Sequence, residues 1–196
     1  MLKAVQIAHD DCRAKSDRVW LGPGPLQQIA ADLTDFVPNH GLAPDELTAA
    51  GEDLRDVIMS LGGWGQRWIE SSLTLRNLDP SLLMWDMRRN IASAALPDRR
   101  CTVLFVYPEL GTGRKQWWLV MESGEVDLCA VDPGHDVDLY VHGLLRSMTA
   151  VWMGISTLEV ETSSGTIKVT GDPELAQSMG AWLGLSPFAT EQKLAS

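Results

Sequence analysis

From Arg100 onward the chain abandons helical spacing for strand spacing, and this change of period limits its fold more than any other feature. "CTVLFVYP" (101–108) is β-branched and aromatic and stops at Pro108. "ELGTGRK" follows as a loop with two glycines. "QWWLVMESGEVDLCAVDPG" (116–134) reads as a hairpin: its first strand is apolar on both sides, Ser123-Gly124 turn it, and Val126, Leu128 and Ala130 share one face of the return strand. "VDLYVHG" is a fourth strand, with Val137, Leu139 and Val141 inward and Asp138 and Tyr140 outward. "LLRSMTAVWMG" is helical again, with Leu144, Met148, Val151 and Trp152 facing in. "TSSGTIKVTG" supplies a fifth strand. "DPELAQSMGAWLGL" is a closing helix, started by Asp172-Pro173, that turns Leu175, Met179, Trp182 and Leu183 inward. The order specifies an α+β fold: a mostly antiparallel sheet of about five strands with helices on one face, preceded by a helical N-terminal region.

That helical region begins with "LTAAGEDLRDVIMSLGGWGQRWIE" (47–70), where Leu47, Leu54, Ile58, Leu61 and Trp68 fall on one face. Thr48 suits the N-cap, and Glu52, Asp53 and Asp56 lie toward the positive end of the helix dipole. Gly62, Gly63 and Gly65 weaken the later turns by about 1 kcal/mol each relative to Ala. They suit the close approach of another backbone, such as a second helix, with Trp64 and Trp68 as packing anchors. "LDPSLLMWDMRRNI" predicts a helix over 80–91, with Asp79 as cap, Pro80 in its first position, and Leu82, Leu83, Met87 and Ile91 on its apolar side. Residues 1–46 are broken by Pro23, Pro25, Pro38 and Pro44 and by Gly22, Gly24 and Gly41. The expected division is a poorly defined segment 1–46, helices and linker over 47–96, the sheet domain over 97–190 and a tail over 191–196.

Net charge is −10, and the acidic excess is even: residues 1–79 hold 7 Lys/Arg and 12 Asp/Glu, residues 80–196 hold 9 and 14. Nucleic acid affinity is driven by concentrated positive charge, which this distribution does not supply. Cys12, Cys101 and Cys129 are odd in number and far apart, which points to inert thiols in a reducing compartment instead of a disulfide framework. The N-terminal apolar run is too short for a signal peptide, and no stretch reaches the length of a membrane span. The expectation is a cytoplasmic protein.

No residue pattern argues for an enzyme, a metal or a cofactor. His9, His40, His135 and His142 lack ligand spacing, and "GTG" at 111–113 is too short to cradle phosphate. "DPGHDVD" (132–138) gathers Asp132, His135, Asp136 and Asp138, but Pro133-Gly134 is turn chemistry and a polar loop accounts for it. The candidate binding residues are apolar. Trp117, Leu119 and Met121 share one strand face, and Leu139 and Val141 share another. Met148, Val151, Trp152 and Met153 lie on the following helix, and Trp182 and Leu185 near the end. On their own these residues fill a core; methionine and tryptophan also suit a pocket that adapts to a flexible apolar ligand. Arg146 and Lys168 are candidates to meet a ligand carboxylate, with outward solvation as their default.

Two stretches resemble known families. Residues 100–185 look like a sterol-carrier-protein-type domain, most specifically through "VDLYVHG", a helix, and then Gly165, Ile167, Lys168, Val169, Gly171, Asp172, Leu175 and Ala176. That resemblance implies a tunnel for a lipid or another apolar small molecule between sheet and helices. "ELTAAGEDLRDVIMSLGGWGQRW", "LDPSLLMWDMRR" and "WWLVMESGEVDLCAVDPGHDVDLYV" resemble bacterial HxlR-type winged-helix transcription regulators with a sterol-carrier-like tail, over about residues 46–190. It implies a ligand-sensing homodimer joined through Leu54, Ile58, Leu61, Trp64 and Trp68, with DNA as partner. In that family the DNA-reading part precedes the "LTxAG" helix. Here residues 1–46 offer Lys3, Arg13, Lys15 and Arg18 against seven acidic residues and no basic recognition helix. The reading is therefore a sensing and dimerising portion without DNA binding of its own, or else a stand-alone lipid-binding protein.

Overall fold

A computed structural model describes residues 49–69, 78–192 and 194 of the chain. Helix α1 spans Ala49–Trp68 and α2 spans Pro80–Arg89, followed by a 3-10 turn at Ser93–Ala95. Strands β1 (Cys101–Val106), β2 (Gln116–Glu122), β3 (Glu125–Cys129) and β4 (Leu139–Gly143) follow. Helices α3 (Leu145–Trp152) and α4 (Leu158–Ser163), strand β5 (Ile167–Gly171) and the short helices α5 (Pro173–Gln177) and α6 (Met179–Trp182) complete the order.

The strands form one five-stranded sheet in the order β3-β2-β1-β4-β5. All pairings are antiparallel except β1 with β4, which run parallel. The hairpins β1-β2-β3 use up one edge of β1. The chain then crosses to the other edge, and β4 enters alongside β1 in the same direction. The fold is α+β with a mixed, mostly antiparallel sheet, as the succession of periods implies.

Alternation sorts the side chains between the two faces. Val103, Phe105, Trp117, Leu119, Met121, Leu128, Leu139, Val141 and Ile167 point to the face covered by α2, α3, α5 and α6. A smaller cluster of Leu104, Val106, Trp118 and Cys129 lies on the other face. Central β1 is consequently buried along its whole length. Val137 was expected inward with Leu139 and Val141. It lies ahead of β4 and packs on the smaller cluster, because strand alternation starts only at Leu139.

Local chemistry sets the helix starts. Asp79 Oδ1 accepts from the Ser81 and Leu82 amides, with Pro80 in the first turn of α2. Asp172 Oδ1 accepts from the Glu174 and Leu175 amides at 2.8 and 3.1 Å, with Pro173 in the first turn of α5. The expected N-cap Thr48 lies outside the described residues. Gly171 has φ +131°, and a Cβ there would stand 2.2 Å from the Asp138 carbonyl oxygen, so the strand-to-helix corner requires glycine.

Four further expectations need correction. Leu144 is exposed and extended, while Leu145 takes its place in the core; the Leu145 amide donates to Glu109 Oε1 at 2.6 Å, a cap from a distant loop. The fifth strand, expected from Thr162, starts only at Ile167, and helix α4 takes the chain through Ser163. It buries none of its residues, so no apolar stripe announced it. The closing helix is two short helices that break at Ser178 yet keep Leu175, Met179, Trp182 and Leu183 buried. Among the cysteines, Cys101 is a free buried thiol, but Cys129 is disulfide-bonded, so cysteine usage no longer argues for a reducing compartment.

Candidate functional site

The candidate site is the interior between the sheet and its helical layer. Trp117, Leu119 and Met121 from β2, Leu139 and Val141 from β4, Met148, Val151 and Trp152 from α3, and Trp182 from α6 belong to one contiguous cluster, none more than 4% exposed. Met153 is half-buried and packs on its edge. Leu185 is not part of it. The chain turns at Gly184 with φ +66° against the Asn90 carbonyl, and Leu185 emerges 48% exposed.

Residues missed in the sequence join the cluster. Met84 stands beside Met87 on α2, and the buried Tyr107 hydroxyl donates to its sulfur at 3.1 Å. The signal for Met84 was its spacing, three residues before Met87 and one turn after Pro80. Leu83, Met84 and Met87 come from the stretch read as linker, yet α2 covers the same sheet face as α3 and α6. Five of the eight methionines, at 84, 87, 121, 148 and 179, sit in this cluster.

Two of the buried tryptophans satisfy their ring N–H groups with backbone carbonyls. Trp182 Nε1 donates to the Leu175 carbonyl at 2.9 Å, and Trp117 Nε1 to the Arg114 carbonyl at 2.9 Å. The cluster's two titratable groups are held neutral. Burial pushes the Tyr107 hydroxyl far up, with the negative Glu109 adding to the shift, and burial likewise pushes the Cys101 thiol up. Such an interior can exclude water and pack against apolar matter. It offers no charge for acid–base chemistry.

Two clefts lined by described residues lie at the rim of the sheet, and neither is an enclosed void among the expected pocket residues. One, of about 280 Å³, separates the 93–99 connector from the β2–β3 turn. The other, of about 340 Å³, is bounded by Arg100, Thr102, Gly134, His135, Asp136 and Asp138. In the second, Asp132 accepts from the Gly134 amide, the turn expected there. Asp138, expected simply to face outward, is held by Arg99 and the Thr102 amide. Arg146 and Lys168 are exposed, Lys168 opposite His142 on the sheet face away from the main cluster. Among the described residues no group of His, Cys, Asp or Glu could hold a metal ion, and no helix is long and apolar enough to cross a membrane.

Helix α1 presents two different sides. Leu54, Ile58, Leu61, Trp64 and Trp68 are 51–59% exposed. Its other side meets the chain's own C-terminal segment. The Phe188 ring lies over Gly62, where a Cβ would stand 2.2 Å from the ring edge, and Glu191 lies beside Gly63 and pairs with Arg67 at 2.9 Å. Gly62 and Gly63 thus admit this strap, while Gly65 is near only Ile69. Buried Gln66 donates to the Met153 carbonyl at 2.9 Å, and the Ser186 amide to the Trp152 carbonyl at 2.9 Å. The strap and Gln66 tie α1 to the C-terminal end of α3.

No family model matches the chain, and no curated protein matches it. Among solved structures it is similar to the inverting sec-alkylsulfatase Pisa1 from Pseudomonas sp., at 17% identity and a TM-score of 0.45 over 62% of this chain, which spans 18% of the sulfatase. It is also similar to the sterol carrier protein domain 2 of Helicoverpa armigera, at 15% identity and TM-score 0.39, covering 53% of this chain and 81% of that one. A third likeness is to a UbiJ-SCP2 ubiquinone synthesis protein, at 21% identity and TM-score 0.38, covering 53% of this chain and 84% of that one. The fold assignment itself rests on the strand order, register and core described above.

Proposed function

We propose that the sheet domain binds an apolar small molecule or lipid between the sheet and α2, α3 and α6, and that α1 joins two copies of the chain. The observation that carries the first part is the soft, uncharged interior, with five methionines and three tryptophans in one cluster. Methionine has three rotatable bonds and no polar group to desolvate, so such a core can yield to a flexible ligand at small cost. The exposed apolar side of α1 supports the second part, because five large apolar side chains at helical spacing and 51–59% exposed suit an interaction surface. The finer reading, supported by the sequence resemblance over residues 46–190, makes this the sensing portion of an HxlR-type transcription regulator. Occupancy would then bias dimer geometry through the contacts of α1 with the end of α3. The acidic excess of residues 1–46, four Lys/Arg against seven Asp/Glu, favours the second reading, a stand-alone binding protein without a DNA partner.

Native mass spectrometry of the purified chain tests both parts together. The expected spectrum shows a dimer carrying a lipid-sized adduct that organic extraction removes. A monomer without adduct, and without uptake of an added apolar fluorophore, overturns the proposal.

A further inference from the structure

We infer that the cleft between the 93–99 connector and the β2–β3 turn is the mouth through which ligand enters the core, and that it selects uncharged or cationic amphiphiles over anionic ones; this rests on the lipid-binding reading above. The cleft holds about 280 Å³. That is just under the range of about 300–1,000 Å³ for a complete small-molecule pocket, which suits an entrance better than a whole site. Its floor sets it apart from an ordinary surface dent. Met121 lines it while only 1% exposed and belonging to the main cluster, and Leu96 lines it while packing on the same cluster. One flexible side chain and one leucine therefore stand between the cleft and the interior.

The connector that forms one wall is pinned at its two ends. The Ala92 amide donates to the Trp182 carbonyl at 2.9 Å, and the Arg99 guanidinium is fastened to Asp138 and Asp172. Between these pins the backbone bonds are the connector's own short turns, Ala95 to Ala92, Leu96 to Ser93 and Arg99 to Pro97. A segment held mainly by local bonds opens at lower cost than the sheet it borders.

The rim sets the ligand class. Asp98, Glu122 and Glu125 line the cleft with Arg99; Arg99 is engaged by Asp138 and Asp172 just outside it and Arg100 pairs with Glu122 at 2.9 Å, so five carboxylates stand against two guanidinium groups around the mouth. An anionic head group meets a like-charged mouth on a chain of net charge −10, which slows its approach.

The test is stopped-flow fluorescence with two probes, neutral N-phenyl-1-naphthylamine and anionic cis-parinaric acid, on the full chain and two variants whose thermal melts confirm folding. Ala94→Trp fills the mouth from an exposed position and should slow association of the neutral probe by about tenfold or more, with a smaller change at equilibrium. Asp98→Lys should speed association of the anionic probe by about threefold to tenfold at low salt, an advantage that fades as salt rises. A wild-type chain that binds neither probe overturns the lipid-binding reading and the mouth with it. A chain that binds with rates indifferent to both variants overturns the mouth alone.

Discussion

Arg99 Nη1 donates to Asp138 Oδ1 across 2.9 Å, joining the end of the connector to the start of β4. The same guanidinium reaches Asp172 Oδ2 at 2.7 Å, and Asp138 Oδ2 accepts from the Thr102 amide at 2.8 Å. Asp138 also bonds through its backbone to Thr102 and to Asp172. One cation and one carboxylate thus gather the starts of β1, β4 and α5. Asp138→Ala leaves the Thr102 amide without its side-chain acceptor and is expected to cost about 1–3 kcal/mol. Arg99→Ala, at a more exposed group, is expected to cost about 1 kcal/mol or less. Urea unfolding of the two variants checks the ranking, and equal losses would contradict it.

Asp172 carries an acid dependence. The Leu175 amide first, then the Glu174 amide and Arg99, hold its carboxyl below the usual range. The unfolded chain titrates near about 3.9, so the stabilisation is fully present above about pH 4 and is lost as pH falls through the depressed folded value. Asp172→Asn should lower stability at neutral pH and flatten the decline below pH 4. Urea midpoints measured across that range for both proteins check this; parallel curves would refute it.

Trp182 is fully buried, and its ring N–H meets the Leu175 carbonyl. Trp182→Phe removes the donor and part of the ring, which should cost about 2–4 kcal/mol; Trp182→Ala should cost about 3–5 kcal/mol. Chemical denaturation gives both values. A loss below that of an ordinary surface substitution would mean that α6 is not seated on the core.

Gly62 and Phe188 form a contact that needs the absent side chain. Gly62→Ala gains about 1 kcal/mol of helix propensity and displaces the ring. A double-mutant cycle with Phe188→Ala should show coupling of about 0.5–2 kcal/mol, and limited proteolysis should cut the 185–191 strap faster in Gly62→Ala than in the wild type. Additive effects with unchanged cleavage would show that the strap does not rest on α1.

Cys101 is buried and its thiol is pushed up, so little thiolate exists near neutral pH. Mass-mapped alkylation at pH 8 should leave Cys101 unmodified in the native protein and label it in denaturant. Native labelling at the rate of a free thiol would place it outside the core.

The strands and caps were legible because each carries its signal locally. The alternation of Trp117, Leu119 and Met121 names a sheet face, and Asp79-Pro80 and Asp172-Pro173 name helix starts within four residues. Helix α4 was not legible, since it buries no residue and Val160 is 57% exposed. Leu144 and Leu145 are equivalent in composition, and the start of α3 at Leu145, capped by Glu109 from 36 residues away, puts Leu145 in the core.

The α+β order, the inward placing of Trp117, Leu119, Met121, Leu139, Val141, Met148, Val151, Trp152 and Trp182, and the apolar character of the interior could be read from the residues alone, because period and side-chain chemistry act between near neighbours. That β4 runs parallel to β1, that α2 adds Met84 to the core, and that Gly62 and Gly63 of α1 receive Phe188 and Glu191 came only with the assembled fold. Those outcomes depend on which distant segments meet, and that is settled by the shape and burial of the whole chain.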